Sequence, residues 1–452
     1  MGTMIEQNTI GQIDEGARYG RARGLFAIWF STNMTLLTVV TGTLGPAVYH
    51  LSFALSLLAV CAGNLVGGVL MALHAAQGPA LGVPQMIQSR GQFGSIGSIP
   101  IVIMVIIMYI GFVASNFVVG ADALHYVMPS MAQPWEVVLM ATLAFIPCVI
   151  GYRVFHVFSA PLAFVATVAV VLCALLGVHQ TGIAPLLNLS GSFSHVFQVF
   201  SLSVLWQISY APYVSDSSRY LPARPETYLK TFWACYGGSV IGSVLAMGLG
   251  ALLASTMPHM EVVAAIGQLC GSLGGLVVLA LTLSIALASA MDMYCSTLST
   301  ITLAQNIFPK WMPQGKERIG VSLATLLCAL GIALFMSKSF LGFYSSLLDV
   351  LMAVLVPWTA INLLDFYWFR RGSYKVADFF RADGGVYGRV NIPALVSYGV
   401  GLACEMPFLD LTFFHGCWAG RWVSFDISWI LALLGASCAY VVLVKSHFYG
   451  RE

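Results

Sequence analysis

Two aspartates, Asp292 and Asp349, lie inside stretches of the chain that are otherwise apolar. A carboxylate is costly to keep at membrane depth, so intramembrane acids usually mark the path of a substrate or an ion. When ionised, such a group accepts hydrogen bonds from N–H donors, and when protonated it donates one. The two residues therefore predict a transport site, provided that the stretches around them are membrane spans.

The composition identifies the chain as a membrane protein. Its 452 residues are 59% hydrophobic and 8% charged, with a mean hydropathy of +0.86. Apolar stretches long enough to cross a bilayer recur along the sequence, and the alternating pattern of a membrane barrel is absent. We therefore predict an all-α polytopic protein with twelve transmembrane helices, at residues 25–48, 51–75, 99–127, 135–152, 158–178, 195–214, 231–256, 273–300, 319–337, 342–364, 392–411 and 425–446.

The basic residues give these spans a direction. Of the 20 Lys and Arg residues, all but Lys338 and Arg421 fall in segments on the same side as the N-terminus. Short loops that are rich in Lys and Arg stay in the cytoplasm. We expect a multi-pass protein of a bacterial-type inner membrane or plasma membrane, with both termini cytoplasmic. The positive charge is spread over many segments, so no nucleic-acid partner is expected.

Other functional classes lack the motifs that they need. No metal-ligand cluster, phosphate loop or cofactor motif occurs, which argues against an enzyme. The ten cysteines are scattered singly and are interpreted as small buried apolar residues. A membrane-bound sensor that binds substrate without transporting it stays as an alternative, although no signalling domain is attached. A monomer is compatible with the sequence, which leaves the oligomeric state open.

Two helices contain candidate backbone breaks. Gly42, Gly45 and Pro46 lie within predicted helix 1, and residues 209–213, which include Pro212, interrupt predicted helix 6. Proline removes a backbone hydrogen bond and glycine weakens a helix. Each break alone could be an ordinary kink. Discontinuous helices at corresponding positions of two halves, however, indicate a transporter binding site.

Several motifs along the chain match the same protein family. They lie in helices 1, 3, 6 and 10 and in the loops between them. They are residues 27–30 and 42–46, the stretch QGPALGVPQMIQSRGQFG at 77–94 with residues 97–100, residues 211–222, and Pro357 with Asp365 and residues 370–374. In this order they resemble the nucleobase:cation symporter family, and most closely its purine–cytosine permease branch. The resemblance extends from helix 1 to helix 10.

The resemblance implies a leucine-transporter-type fold of two inverted five-helix repeats. These would occupy residues 25–178 and 179–364, after a cytoplasmic arm at 1–24. A cytoplasmic loop at 365–391, two further helices at 392–446 and a tail at 447–452 would follow. Substrate would bind between a bundle of helices 1, 2, 6 and 7 and a scaffold of helices 3, 4, 8 and 9, and would cross by alternating access.

The resemblance also implies binding residues on helices 3 and 6. Phe112 and Asn116, one turn apart on helix 3, would stack on a flat heterocycle and hydrogen-bond it. The family usually has Trp at the position of Phe112, which indicates a smaller or differently tilted ligand here. On helix 6, Trp206 or Tyr210 would stack and Gln207 would offer an amide, depending on the register.

Helices 1 and 8 would contribute the remaining contacts. Thr35 matches a side chain of helix 1 that touches substrate in the family, and Asn33 is its neighbour. Asp292 lies on helix 8 where the permease branch carries an Asn. A carboxylate there can serve both a ring N–H and a transported proton. A structural role, in which Asp292 bonds to a neighbouring hydroxyl, is the alternative.

The coupling ion is the only cofactor that we expect. Sodium-driven members hold the ion with helix 1 carbonyls, here of Ser31 and Met34, and with two helix 8 hydroxyls. Counted from Asp292, the hydroxyl positions are Ala286 and Leu287, which carry no oxygen ligand for a hard cation. In a shifted register Ser289 or Ser284 could serve instead. Proton coupling through Asp292 is therefore preferred, and sodium stays as the alternative.

The predicted function is cation-coupled secondary active import of a nucleobase of cytosine or purine type. Its partners would be the lipid bilayer and a small heterocyclic substrate. A transporter of the same fold for allantoin, hydantoin or a thiamine-precursor pyrimidine is the main alternative.

Overall fold

The computed structural model describes residues 9–311, 313–336, 340–411, 413–421 and 425–449. Within these ranges, eight helices are long and apolar enough to cross a membrane, or nine if the bent pair Ala22–Asn33 and Leu36–Ala47 counts as one span. Three shorter apolar helices are also present, at Phe193–Ile208, Ile392–Glu405 and Ser428–Val444. Each of the twelve predicted spans thus coincides with a helix or a helix pair.

The helices are labelled by the span to which they belong. They are α1a (Ala22–Asn33), α1b (Leu36–Ala47), α2 (Phe53–Ala75, followed by Gln77–Leu81), α3 (Ile99–Val127), α4 (Gln133–Ile150), α5 (Tyr152–Thr181), α6a (Phe193–Ile208), α6b (Val214–Ser218), α7 (Pro225–Thr256), α8 (Gly274–Ile307), α9 (Gly315–Met336), α10 (Phe340–Leu363, extended by a π-helical turn at Leu364–Phe369), α11 (Ile392–Glu405) and α12 (Ser428–Tyr449).

Shorter elements lie between these helices. The 2–3 helix (Gln85–Phe93) follows α2, and the 7–8 helix (Val262–Cys270) precedes α8. One further helical turn is Ile183–Leu186, and 3-10 turns lie at Glu15–Ala17, Gly271–Leu273, Val376–Phe380 and Gly385–Tyr387. Strands β1 (Asp410–Leu411) and β2 (Phe414–His415) form a small antiparallel hairpin after α11, in which Asp410 pairs with His415.

The spans pack in two groups. In one group α7 packs against α1a, α1b and α2, and α6a packs against α2. In the other, α8 packs against α3, α4 and α9, and α9 also contacts α3 and α4. Helices α11 and α12 pack on each other and on α10. This division matches the bundle and scaffold that the resemblance implied.

The break in helix 1 differs from its predicted position. The helix bends by 54° between α1a and α1b, with Met34 and Thr35 at the bend, whereas the predicted break at 41–46 is wrong because these residues are helical. Thr35 begins α1b as its N-cap, and its hydroxyl accepts a hydrogen bond from Thr38 N at 3.4 Å. A short polar side chain therefore stabilises the new helix start.

The glycines of α1b serve close packing instead of a break. A Cβ atom at Gly42 would lie 2.0 Å from the carbonyl oxygen of Met247 in α7. A Cβ atom at Gly250 in α7 would lie 1.9 Å from the carbonyl oxygen of Val39. Small residues that let helix backbones approach are common in membrane interfaces. Pro46 lies in the last turn of α1b, near the helix end.

Helices 6 and 11 illustrate what proline does to a helix end. The predicted break at 209–213 is confirmed, since α6a ends at Ile208 and α6b begins at Val214. Predicted helix 11 extended to residue 411, but α11 ends at Glu405. Pro407 follows closely, and proline has no backbone N–H with which to continue the helical hydrogen bonds. The chain then forms the β-hairpin.

The loops on the N-terminal side of the bundle meet at one face. The N–H of Gly20 donates to Tyr220 O at 2.9 Å, in the loop after α6b, and the N–H of Ile13 donates to Gly82 O at 2.9 Å. The buried guanidinium of Arg18 donates to Pro79 O at 2.7 Å. The described part of the N-terminal arm is therefore packed against the bundle. Arg18 lies outside the spans, and burial lowers its pKa from the usual value.

A second buried arginine, Arg90, links the 2–3 helix to the end of α8 and to the loop after α10. Arg90, in the 2–3 helix, donates to Gln305 Oε1 at 3.0 Å and to Thr302 O at 3.1 Å, both near the end of α8. It also donates to Phe379 O at 2.9 Å, in the loop after α10. Burial lowers the pKa of Arg90 to about 10, so that its guanidinium stays charged at neutral pH.

Candidate functional site

The two helix breaks meet α3 and α8 around one cavity. The space between the surrounding atoms, including the part that opens to solvent, is about 330 Å³. It is lined by Thr32, Thr35, Leu37, Phe112, Asn116, Trp206, Ser209, Tyr210, Tyr213, Ala288 and Asp292. Six of the seven residues predicted to bind substrate are therefore brought together, although they come from four separate helices.

An aromatic wall forms one part of the cavity. The rings of Phe112 and Trp206 lie edge to face, with centroids 6.1 Å apart and planes at 88°. Trp206 and Tyr210 are 5.9 Å apart at 86°, and Tyr210 and Tyr213 are 5.8 Å apart at 73°. Edge-to-face contacts are favoured by the charge distribution of aromatic rings. They hold the wall in a fixed shape against which a flat ligand could pack.

The carboxylate of Asp292 supplies the ionisable group of the cavity. It accepts hydrogen bonds from the hydroxyl of Tyr213 at 3.2 Å and from Nδ2 of Asn116 at 3.3 Å, one at each oxygen. Asp292 is 6% exposed, and no ion pair involves it in the described residues. Since each carboxylate oxygen has two lone pairs, the group keeps acceptor capacity for a ligand.

Gln207 lies outside the residues that line the cavity. Its side-chain nitrogen donates to Asn64 Oδ1 at 2.7 Å and to Ser243 Oγ at 3.1 Å. Its side-chain oxygen accepts from the hydroxyl of Ser239 at 2.7 Å. The residue next to Trp206 in a helix is rotated by about 100°, which turns Gln207 towards α2 and α7. In this conformation its amide forms hydrogen bonds within the protein and does not face a ligand in the cavity.

The candidate cation ligands lie beside the cavity and do not line it. Ser31 and Met34 are buried at the end of α1a, and the N–H of Met34 donates to Ser31 O at 3.1 Å. Ser289, next to the lining residue Ala288, donates its hydroxyl to Ile285 O at 2.7 Å. Ala286 and Leu287 are buried and carry no side-chain oxygen. Ser284, the other candidate hydroxyl of α8, is buried and its oxygen has no hydrogen-bond partner among the described residues. The positions counted from Asp292 thus lack an oxygen ligand, whereas the two serines keep lone pairs but do not line the cavity.

Asn33 organises the aromatic wall from behind. Its Oδ1 accepts hydrogen bonds from the indole nitrogen of Trp206 at 2.8 Å, from the hydroxyl of Tyr210 at 2.8 Å and from the hydroxyl of Ser243 at 2.6 Å. Its Nδ2 donates to Trp29 O at 2.8 Å and to Ser239 Oγ at 3.0 Å. Sequence reasoning identified Asn33 only as a neighbour of Thr35.

Five lining residues were not predicted to bind substrate, namely Thr32, Leu37, Ser209, Tyr213 and Ala288, and Tyr213 is the one of these that donates a hydrogen bond to Asp292. It belongs to the predicted break in helix 6, so the Ala-Pro-Tyr motif was the available signal. Its ring packs against Tyr109 at 5.1 Å and against Trp29 at 5.6 Å. These contacts aim its hydroxyl at Asp292. The break in helix 6 therefore places a donor on the α8 carboxylate.

Relatives with similar sequences are named as permeases. Residues 12–432 match the family described as permease for cytosine/purines, uracil, thiamine, allantoin. YxlA of Bacillus subtilis, which is provisionally named a purine-cytosine permease, is 33% identical over 99% of this chain and 97% of its own. The purine-cytosine permease fcyB of Emericella nidulans is 22% identical over 94% and 85%. The purine-cytosine permease FCY2 of Saccharomyces cerevisiae is 24% identical over 84% and 74%.

Solved transporter structures share the fold. Mhp1, a nucleobase-cation-symport-1 family transporter in a closed conformation with bromovinylhydantoin bound, has a TM-score of 0.76 at 18% identity, over 98% of this chain and 96% of its own. A Na⁺-coupled sialic acid symporter has a TM-score of 0.67 at 12% identity, over 95% and 91%. The predicted fold class is confirmed, and the relatives are named as transporters, not as enzymes. The chain is a multi-pass membrane transporter, and it belongs to the family of permeases for cytosine/purines, uracil, thiamine and allantoin.

Proposed function

We propose that the protein imports a nucleobase of cytosine or purine type by proton symport, through alternating access. The observation that carries this proposal is the arrangement of Phe112, Trp206 and Tyr210 around the same cavity as the carboxylate of Asp292. Aromatic faces and a hydrogen-bonding carboxylate suit a flat ring with polar edges. The names of fcyB and FCY2 and the hydantoin bound to Mhp1 support a small heterocyclic substrate.

The polar groups of the cavity favour ligands with N–H donors. Asp292 retains lone pairs that can accept from a ring N–H or from an exocyclic amino group. Asn116 uses one N–H on Asp292, which leaves its second N–H and its carbonyl oxygen for a ligand. Cytosine and adenine present donors and acceptors side by side on one edge. These bases therefore match the Asp292 and Asn116 pair.

Asp292 also supports the proton as the coupling ion. It is the one carboxylate among the residues that line the cavity. A buried carboxylate without a cationic partner is costly unless it takes up a proton or contacts a cationic ligand. On α8, Ala286 and Leu287 carry no side-chain oxygen, and the hydroxyls of Ser284 and Ser289 do not line the cavity. Proton transfer at Asp292 needs no further ligand.

The orientation proposed for the chain has both termini in the cytoplasm of a cell with a bacterial-type inner membrane. The arm before α1a, the loop after α6b and the loop after α10 lie at the same face. Basic residues concentrate in the loops of that face. Substrate would enter from the opposite face, where α7 leads to the 7–8 helix.

Uptake by proteoliposomes tests the proposal. Radiolabelled cytosine, adenine, hypoxanthine and uracil are offered with an inward proton gradient or an inward sodium gradient, imposed separately. We expect accumulation under the proton gradient, abolished by a protonophore. Accumulation under sodium alone would refute proton coupling. Uptake of allantoin, hydantoin or a thiamine-precursor pyrimidine in place of any base would refute the substrate class, and binding without uptake would identify a sensor.

A further inference from the structure

Two cysteines that are far apart in sequence lie in contact in the fold. Sγ of Cys173, in α5, is 3.1 Å from Sγ of Cys270, the last residue of the 7–8 helix, and 97 residues separate them. Both side chains are buried. The spacing of the ten cysteines gave no sign of this pair, because the contact depends on how the 7–8 helix folds back onto α5.

Beside the pair, α5 packs closely against side chains of α7 and of the 7–8 helix. One turn further along α5, a Cβ atom at Gly177 would lie 2.9 Å from Leu252 of α7 and 3.6 Å from Leu269 of the 7–8 helix. A disulfide has an S–S length of about 2.05 Å. Since the sulfur atoms are already in contact, forming the bond requires them to approach by about 1 Å.

We propose that Cys173 and Cys270 are a redox modification site, at which a disulfide fastens the 7–8 helix to α5. The two thiols lose two protons and two electrons as the S–S bond forms. A low-molecular-weight disulfide, or the disulfide of a protein thiol oxidase, accepts both electrons and both protons and becomes two thiols. The reaction proceeds by thiolate attack through a mixed disulfide.

The position of the pair places it where disulfides persist. The 7–8 helix lies at the opposite end of α7 from the loop that contains Tyr220, to which the N-terminal arm binds. In the orientation given under the proposed function, on which this step rests, the pair lies in the outer half of the membrane. Disulfides form and persist in the compartment outside the cytoplasm.

The tether would restrain the connection between the two groups of helices. The 7–8 helix joins α7 of the bundle to α8 of the scaffold and contacts α3 and α5 as well. A Cβ atom at Gly267 would lie 2.1 Å from the hydroxyl of Tyr126 in α3, so the helix already packs closely on the scaffold. A covalent bond to α5 would fix it there. We therefore expect oxidation to raise the melting temperature and to slow transport.

Peptide mapping of the purified full-length protein tests the site. The protein is treated with diamide or with dithiothreitol, blocked with N-ethylmaleimide in denaturant, digested without reduction and analysed by mass spectrometry. The expected result after diamide is a linked pair of peptides that contain Cys173 and Cys270. The linked pair should be absent after dithiothreitol and in Cys173→Ser. The matched control Cys235→Ser changes another fully buried cysteine, in α7, and should retain the link.

Recovery of both cysteines as maleimide adducts after diamide, from protein that still melts cooperatively, would overturn the proposal. The melting temperature is a second measurement, which should rise on oxidation in wild type and in Cys235→Ser but not in Cys173→Ser. An equal rise in all three proteins would also contradict it. Because both readouts are independent of substrate, they separate a failure of this proposal from a failure of the nucleobase assignment.

Discussion

The side-chain oxygen of Asn33 lies 2.8 Å from the indole nitrogen of Trp206, so that α1a holds in place a ring that α6a contributes to the cavity. The same oxygen accepts a hydrogen bond from the hydroxyl of Tyr210. The two candidate stacking residues are therefore oriented by one amide at the end of α1a. Asn33 itself does not line the cavity, which makes it a positioning residue.

Replacing Asn33 by Leu should weaken substrate binding at least tenfold. The change leaves three buried donors, on Trp206, Tyr210 and Ser243, without their acceptor. Each unsatisfied donor costs about 1–3 kcal/mol, and the two rings are free to leave their binding positions. The dissociation constant of the transported base, measured on purified protein by scintillation proximity, checks this prediction.

Asn64→Leu is the matched control for Asn33→Leu. Asn64 is also a buried asparagine, but its side-chain oxygen accepts from Gln207, which lies outside the cavity. Both substitutions should lower the melting temperature, and only Asn33→Leu should weaken binding strongly. Equal binding losses in the two variants would mean that Asn33 acts through general stability.

Removing the hydroxyl of Tyr213 should raise the KM for the substrate about tenfold, which corresponds to about 1.4 kcal/mol. Tyr213→Phe keeps the ring contacts with Tyr109 and Trp29 and loses the hydrogen bond to Asp292. A bond to a charged group contributes about 1.5–3 kcal/mol. Initial uptake rates at a series of substrate concentrations give the KM of this variant.

A matched tyrosine separates this effect from the loss of any buried hydroxyl. Tyr344 is fully buried and its hydroxyl bonds to Thr41 Oγ1 at 2.8 Å, away from the residues that line the cavity. Tyr344→Phe should leave the KM within about twofold of wild type. A normal KM in Tyr213→Phe would show that Tyr213 does not support the binding carboxylate.

Adding a methyl group at Gly42 should destabilise the protein. The Cβ atom of Gly42→Ala would lie 2.0 Å from a backbone oxygen of α7, which cannot move as a side chain can. Overpacking in a core costs about 1–3 kcal/mol, so we expect less folded protein and a lower melting temperature by fluorescence size-exclusion analysis. Gly237→Ala is the control, because its nearest atom would be 3.5 Å away. Similar behaviour of the two variants would contradict close packing of α1b on α7.

The sequence was sufficient to predict the fold because span length, loop charge and the family motifs agree. It placed the helix 6 break correctly, since Pro212 interrupts an apolar span. It misplaced the helix 1 break. Glycines such as Gly42 and Gly45 occur both where a helix breaks and where two helices pack closely, and the sequence does not distinguish the two cases. The actual bend depends on Thr35, whose capping role depends on its backbone conformation.

The site residues were predictable where they matched a family motif. They were not predictable where the rotation of a helix decides which side chains face the cavity. Phe112 and Asn116 were predicted as a pair one turn apart on α3, and both line the cavity. On helix 6 three residues were possible. The rotation of α6a turns Trp206 inwards and Gln207 outwards, and the break after Ile208 places Tyr210 at the cavity. Asn33 and the pair of Cys173 and Cys270 depend on contacts between distant segments, for which a single sequence gives no spacing rule.

The role of Asp292 is tested most directly by proton-driven nucleobase uptake in proteoliposomes that contain wild type, Asp292→Asn or Asp349→Asn. The amide has the shape of the carboxylate but cannot carry the transported proton. Asp349 is the matched control. The sequence analysis also associated it with the transport path, but in the structure only Asp292 of the two carboxylates lines the cavity. We predict that wild type and Asp349→Asn accumulate the base under an inward proton gradient and that Asp292→Asn does not. Accumulation by Asp292→Asn at the wild-type level would contradict the proposed coupling.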